Sequence, residues 1–198
     1  MNPLPIILAS ASPRRAELLR QLGVVFQIAP AGVREVEGET LSAGETARIN
    51  AYRKARASAK KHPDSIVLGV DTVVALGTKL FGKPATLGEA EEMLVALQGK
   101  THRVVTGVCL LHLRAHRQRI FFEETAVTFA PLSRAQIRSY HAQVNPLDKA
   151  GAYGIQEKGE MLVNAVSGSY TNVVGLPLER LTAELPAFGV LPPQAVRS

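Results

Sequence analysis

Short apolar runs alternate with helix-spaced patterns along the 198 residues, which restricts the chain to a mixed α/β fold. Strands are predicted at Ile6–Ala9, Val24–Ala29, Ile66–Leu76, Arg103–Leu113, Arg119–Phe129 and Met161–Val166. Helices are predicted from Pro13 to Gly23, Glu45 to Lys61, Thr86 to Gly99, Ser133 to just before Pro146, and Leu178 to Leu185. The length predicts one domain over residues 1–190, followed by a loose tail at 191–198.

The composition is typical of a soluble globular protein, with 46% hydrophobic and 20% charged residues. No apolar run reaches the length of a membrane span, and no basic segment precedes an apolar N-terminal core. We therefore expect neither a transmembrane helix nor a signal peptide, and no membrane partner. The single cysteine, Cys109, lies in an apolar run. It excludes an internal disulfide and favours a cytoplasmic location.

The net charge of +6 indicates anionic partners. Much of it lies in one predicted helix, at Arg48, Arg53, Lys54, Arg56, Lys60 and Lys61. A nucleic-acid face would carry a recognition signature and aromatic side chains, but aromatic residues make up only 5% of the chain. A solvated helix face is the simpler interpretation, and small anions such as nucleotides explain the charge equally well. We therefore do not expect nucleic acid as a partner.

The junction between the first strand and the first helix carries hydroxyls and guanidiniums together. Ser10 and Ser12 precede Pro13, and Arg14 and Arg15 follow in the first turn. Ser12 is a favourable N-cap, and Pro13 suits the first helical position because its missing N–H needs no partner there. A helix N-terminus with paired arginines predicts an anion site. The alternative is a capped helix with two solvated arginines.

Asp71 interrupts the apolar strand Ile66–Leu76. A buried carboxylate is costly unless it is paired, hydrogen-bonded or bound to a metal, so Asp71 is a candidate metal ligand, general base, or both. The alternative is an aspartate that caps a loop at the strand's end. Because side chains alternate along a strand, Asp71 and Thr72 should face opposite ways. Both can serve one site only if the strand bends, bulges or ends there.

Three other charged residues are candidates for the same site. Lys54 lies beside a row of alanines on its predicted helix, which favours a lysine in a cleft over one at the edge of the core. Lys83, between Gly82 and Pro84, is a weak signal alone. Glu35 belongs to an acidic run, where a solvated loop residue is the ordinary interpretation. Alternatively, Glu35 and Asp71 together are ligands for Mg²⁺. No histidine or cysteine spacing predicts zinc.

These motifs together resemble the Maf nucleotide pyrophosphatases, and the resemblance covers Ile6 to about Leu185. The matching segments are Ser10-x-Ser12-Pro13-Arg14-Arg15, Lys54-Ala55, Gly69-Val70-Asp71-Thr72, Gly82-Lys83-Pro84, Asp148 to Gln156, and Val173-Val174-Gly175-Leu176-Pro177. The resemblance implies a long bent mixed sheet flanked by helices, with two lobes and a central cleft as in inosine triphosphatases. It also implies a homodimer.

The implied reaction is attack of water on the α-phosphorus of a nucleoside triphosphate, assisted by a divalent cation, Mg²⁺ or Mn²⁺. By the resemblance, Asp71 is the proton acceptor and Glu35 an acidic, metal-linked residue beside it. The phosphate-binding residues carried over are Ser10, Arg14, Arg15, Lys54 and Lys83. This set is chemically coherent, because phosphoryl transfer needs positioning and charge neutralisation more than covalent chemistry.

Arg14, Thr72 and Gln156 resemble the selectivity residues of the Maf branch that acts on dTTP and UTP. A glutamine amide can complement both O4 and N3–H of thymine or uracil. One departure is Arg34, where the family usually has an acid, and it bears on metal stoichiometry. The alternative function is a nucleotide- or nucleic-acid-binding regulator of cell division without turnover. A buried acid such as Asp71 argues against it.

Overall fold

The structure is a computed structural model that describes residues 4–36 and 40–191. Its strands are β1 (Ile6–Leu8), β2 (Phe26–Ile28), β3 (Ile66–Leu76), β4 (Lys79–Phe81), β5 (Thr101–His112), β6 (Arg117–Phe129) and β7 (Val163–Ser167). Its helices are α1 (Pro13–Gln21), α2 (Ala43–Ala59), α3 (Leu87–Leu97), α4 (Arg134–His141), α5 (Tyr170–Val174) and α6 (Leu178–Glu184). Apart from Leu191, the predicted tail lies outside the described residues, so that prediction is untested.

The strands form one 7-stranded mixed sheet in the order β2-β1-β3-β5-β6-β7, and β4 pairs with β3 off this path. β1 runs parallel to β2 and β3, whereas the pairs β3–β5, β5–β6 and β6–β7 are antiparallel. The predicted mixed α/β fold is confirmed. No helix in the described ranges combines the length and apolarity needed to cross a membrane.

The edge of β3 opposite β5 is paired only at its two ends. β1 pairs with Ile66–Leu68, and β4 pairs with Val74–Leu76. Between these partners, residues 69–73 keep β5 on one side and have no strand among the described residues on the other. This gap in the sheet opens a cleft that reaches both faces of β3.

The cleft separates two groups of core residues. Val70 belongs to a cluster that contains Leu8 and Leu181, whereas Val74 belongs to one that contains Leu94. Residues 70, 72 and 74 share one face of β3 because side chains alternate. Thr72 therefore lies where the two lobes meet.

Helix α2 packs unusually close to the other face of β3 and β5. Its fully buried alanines include Ala47 and Ala51, which lie over Gly107 and Gly69. A Cβ at Gly107 would collide with the backbone of Ala47, and one at Gly69 with the carbonyl oxygen of Ala51. Small residues on both surfaces thus let the helix carry its polar side chains to the level of the cleft.

Replacing Gly107 by alanine is expected to lower the free energy of unfolding by about 1–3 kcal/mol, because α2 must move away from the sheet. Urea denaturation followed by circular dichroism measures the change. Gly88→Ala is the matched control, since a Cβ there would meet only Thr86 Oγ1, at 3.8 Å. Equal stability of the two variants would show that the contact between α2 and the sheet is loose.

Candidate active site

A cavity of about 1210 Å³ opens at the free edge of β3. Its lining contains every candidate site residue predicted from the sequence: Ser10, Arg14, Arg15, Glu35, Lys54, Asp71, Thr72, Lys83 and Gln156. These residues come from the start of α1, the loop before α2, α2 itself, β3, the segment after β4, and the turn around residue 156. The structure therefore brings all of them to one cleft, although it places them in distinct groups.

The start of α1 turns its hydroxyls toward its own backbone and the neighbouring arginine. Ser12 caps the helix and accepts a hydrogen bond from the Arg15 backbone N–H at 3.5 Å. Ser10 Oγ accepts from the Ser12 N–H at 3.3 Å and from Arg15 Nη1 at 3.1 Å. The predicted cap is confirmed, and Ser10 is held beside a guanidinium.

Arg15 ties α1 to β3 and to the end of α5. Its Nε donates to the Gly175 carbonyl at 2.9 Å, Nη1 to the Val70 carbonyl at 3.2 Å, and Nη2 to Thr72 Oγ1 at 2.9 Å. Burial lowers the pKa of Arg15, and the nearby carboxylates oppose that shift. A guanidinium nevertheless stays charged in proteins. Because these acceptors are neutral, Arg15 brings positive charge into the cleft, and it is not a solvated arginine.

Arg14 joins the start of α1 to the segment that carries Asp148 and Glu157. Its Nη1 lies 3.0 Å from Asp148 Oδ2 and 3.4 Å from Glu157 Oε1. Lys149, with only 4% of its side chain exposed, pairs with the same two acids. This ion cluster fixes the turn that carries Gln156, which is exposed and lines the cleft. Arg14 is thus held next to the turn that carries Gln156. The sequence analysis predicted no role for its acidic partners, Asp148 and Glu157.

A lysine bridges the two candidate carboxylates. Lys54 Nζ lies 2.6 Å from Glu35 Oε1 and 2.6 Å from Asp71 Oδ1. Burial raises the pKa of Asp71, and the attraction of Lys54 offsets this only in part. Burial also disfavours the charged form of Glu35, but there the hydrogen bond and charge of Lys54 prevail and lower the pKa. Of the two acids, Asp71 is therefore the better proton acceptor.

Asp71 and Thr72 face opposite ways, as alternation predicts. Asp71 contacts Lys54 on α2, whereas Thr72 Oγ1 contacts Arg15 and lies 3.0 Å from Thr106 Oγ1. The expectation that the strand must bend, bulge or end there was too strict, because its register with β5 is regular from Ile66 to Ala75. The cleft reaches both side chains because it surrounds the free edge of β3.

Asn50 is a site residue that the sequence reasoning missed. Its Nδ2 donates to Asp71 Oδ2 at 3.2 Å and to the Val36 carbonyl at 3.1 Å, and its Oδ1 accepts from the Val36 N–H at 2.7 Å. It thereby joins the loop that carries Glu35 to the base of the cleft. A signal was present, because Asn50 lies four residues before Lys54, beside the alanine row of α2.

The two carboxylates that contact Lys54, those of Glu35 and Asp71, suit a hard divalent cation. Within the described residues, no group of three or more His, Cys, Asp or Glu side chains could hold a metal. Glu35 and Asp71 nevertheless converge on one cation already, the Lys54 ammonium. Mg²⁺ is commonly bound by one or two carboxylates together with water and substrate phosphates. The residues present therefore fit such an ion, with phosphate oxygens completing its coordination.

Comparison with known proteins identifies the family of this chain. The family described as Maf-like protein matches residues 5–188. The chain belongs to the Maf family. It is 49% identical over 184 residues to the dTTP/UTP pyrophosphatase of Symbiobacterium thermophilum, covering 93% of this chain and 94% of the relative. It is 46% identical to that of Bacillus cereus (96% and 92% covered) and 48% identical to that of Exiguobacterium sibiricum (95% and 94%).

Solved structures support the fold of this Maf protein. The Staphylococcus aureus Ham1 protein aligns with a TM-score of 0.53 at 17% identity and covers 93% of this chain and 99% of its own. A HAM1 protein from Coxiella burnetii aligns with a TM-score of 0.51 at 22% identity and the same coverage. The overall fold of this chain is therefore shared with these two proteins.

Proposed function

We propose that this Maf protein is a nucleoside triphosphate pyrophosphatase that hydrolyses dTTP and UTP, and modified pyrimidine triphosphates, to the monophosphate and pyrophosphate. The observation that carries the proposal is the buried Asp71, bonded to Lys54 in a cleft that also holds the charged Arg15. The relatives named as dTTP/UTP pyrophosphatases support the same activity. A pure binding protein has no need of a buried acid at this position.

In the reaction, Asp71 takes a proton from the water whose oxygen forms a bond to the α-phosphorus. The bond between that phosphorus and the oxygen bridging to the β-phosphate breaks, and pyrophosphate leaves with the bond's electrons. Three cations, Lys54, Lys83 and Arg15, line the same cleft and would stabilise the charge that develops on the phosphate oxygens. Asn50 and Lys54 hold the two oxygens of Asp71, so its carboxylate is oriented before the substrate arrives.

Glu35 and Asp71 would hold a divalent cation, Mg²⁺ or Mn²⁺. When bound, the ion supplies positive charge that neutralises the phosphates and polarises the reacting centre. Glu35 is suited to this role because the charge of Lys54 keeps it ionised.

Base selection is proposed for the part of the cleft that is lined by Gln156. Gln156 offers one amide donor and one acceptor to the pyrimidine edge, and Arg14 lies beside it through the ion pairs to Asp148 and Glu157. Thr72, the third residue of the selectivity set, acts through Arg15, to which its hydroxyl is bonded. The proposal includes a cytoplasmic location, supported by a lone buried cysteine, and a homodimer, carried over from the family and tested by analytical ultracentrifugation.

Replacing Asn50 by alanine is expected to lower kcat about tenfold or more while changing KM less, because Asp71 and the Glu35 loop lose their common anchor. The loss of these hydrogen bonds should also cost about 1–3 kcal/mol of folding free energy. Steady-state kinetics and thermal melting measure both effects.

Ser58→Ala is the matched control for Asn50, about two turns later on α2. Ser58 is also buried and polar, its hydroxyl donates to the Ala29 carbonyl at 3.4 Å, and it does not line the cleft, so its loss should leave kcat unchanged. An Asn50→Ala enzyme with the kcat of the wild type would remove Asn50 from the site.

The proposed function is tested by a screen for pyrophosphate release over canonical and modified nucleoside triphosphates, with Mg²⁺, with Mn²⁺ and with a chelator. We expect release from dTTP and UTP, a smaller rate with 7-methyl-GTP, and loss of activity on chelation. Tight nucleotide or DNA binding without pyrophosphate release would instead favour the non-catalytic regulator.

A further inference from the structure

A second cavity of about 660 Å³ adjoins the cleft at the loop that carries Glu35. We call it the side cavity; it is lined by Val33, Arg34, Glu35, Val36, Arg53 and Lys83. Arg34 and Arg53 line only this cavity, whereas the other four residues also line the cleft. The side cavity is thus an extension of the cleft that adds two arginines to it.

The lining of the side cavity is strongly cationic. The single acid among its described lining residues, Glu35, lies 2.6 Å from Lys54 and 4.0 Å from Lys83, so its charge is directed mainly toward Lys54. Arg53 Nη2 donates to the Arg34 carbonyl at 3.4 Å, which brings the arginine of α2 to the loop. In the described part of the chain, neither Arg34 nor Arg53 forms an ion pair with a carboxylate. Among the described residues that line this cavity, positive charge is therefore in excess.

The position of the side cavity suggests which anion it takes. Lys83 and Glu35 border both cavities, whereas Asp71 lines only the cleft. A triphosphate whose α-phosphorus lies at Asp71 has its charge-rich terminal phosphates free to extend past Lys83. Guanidinium groups bind such phosphates with paired, charge-assisted hydrogen bonds.

We propose that the side cavity is a pyrophosphate subsite in which Arg34 and Arg53 bind the terminal phosphates of the substrate, and then the released pyrophosphate. This assignment rests on the proposed function, since it takes the α-phosphorus to react at Asp71. The subsite binds its anion through side chains, so it needs no metal ion for affinity. It adds Arg34 and Arg53 to the residues that set KM and product release.

Isothermal titration calorimetry of inorganic pyrophosphate into the full chain, with EDTA present, tests the subsite directly. The variant Arg34→Gln/Arg53→Gln is expected to bind pyrophosphate at least tenfold more weakly than the wild type, a loss of about 1.4 kcal/mol. Arg56→Gln is the matched control, because Arg56 is an exposed arginine on the same helix and lines neither cavity. The control should bind within about twofold of the wild type, and circular dichroism verifies that all the variants fold.

Product inhibition gives a second measurement. The inhibition constant of pyrophosphate should rise in the double variant by the same factor as the calorimetric Kd. Undetectable binding by the wild type, or equal binding by the double variant, would overturn the subsite. If pyrophosphate binds as expected but no nucleoside triphosphate is hydrolysed, the proposed function fails and the anion site stands. If hydrolysis proceeds and the double variant inhibits like the wild type, the subsite fails and the function stands.

Discussion

The Asp71→Asn enzyme is expected to release pyrophosphate from dTTP or UTP with a kcat about 10²–10⁴-fold below that of the wild type. Asparagine has the shape of aspartate and retains one oxygen to accept the Lys54 hydrogen bond, but its amide nitrogen replaces the oxygen that accepts from Asn50, and it cannot take a proton from water. The loss should therefore appear mainly in kcat, with KM changed less.

A pH profile separates the loss of a base from a general disturbance of the site. Because burial raises the pKa of Asp71, the wild-type activity should fall as the pH decreases through a value above the usual carboxyl pKa of about 3.9. The base must be ionised to act, so activity is present above that pKa and lost below it. This acid limb should be absent from the residual activity of the asparagine variant.

Asp64→Asn is the control for Asp71. Asp64 is an exposed residue that pairs with Arg114 and lines neither cavity. We expect wild-type kinetics from it. An Asp71→Asn enzyme that retains more than a tenth of the wild-type kcat would contradict the assignment of Asp71 as the base.

Replacing Lys54 by methionine is expected to lower kcat about 10²–10³-fold, the usual cost of removing one preorganised donor from a reacting centre. The thioether keeps most of the apolar stem but removes the ammonium that lies 2.6 Å from both Glu35 and Asp71. Without it, the like charges of the two carboxylates oppose each other. The pKa of Asp71 should rise further, which moves the acid limb of the rate profile to higher pH.

Steady-state kinetics between pH 5 and 9 measure both consequences. Lys60→Met, at the exposed end of the same helix, removes an equal charge outside the cleft and should leave the profile unchanged. An acid limb that stays at the same pH in Lys54→Met would show that Lys54 does not act on Asp71.

Long, continuous patterns in the sequence predicted the fold well. The strand Ile66–Leu76 is bounded as predicted because apolar residues mark both of its ends and continue on either side of Asp71 and Thr72. Helix α5 was missed because its five residues are too few for a helical period to show. The free edge of β3 was also beyond prediction, since it depends on how short its partners β1 and β4 are.

Most residues of the candidate site could be predicted from the sequence, but the contacts between them could not. Asp71 stood out because it is a charged residue inside an apolar strand, and Lys54 because it lies beside an alanine row. The ion pair between Arg14 and Asp148 joins residues 134 positions apart, and no local pattern indicates such a contact. Asn50 was missed although it lies beside the same alanine row as Lys54. An asparagine in a helix is usually a polar surface residue, and only the structure shows that this one is buried.

Hydrolysis of dTTP in water enriched in ¹⁸O tests the central claim most directly, because it reports which phosphorus the water attacks. Attack at the α-phosphorus, with Asp71 as the base, predicts one ¹⁸O in the phosphate of dTMP and none in pyrophosphate, as read by mass spectrometry. Label in the pyrophosphate, or release of labelled orthophosphate, would contradict the proposed mechanism.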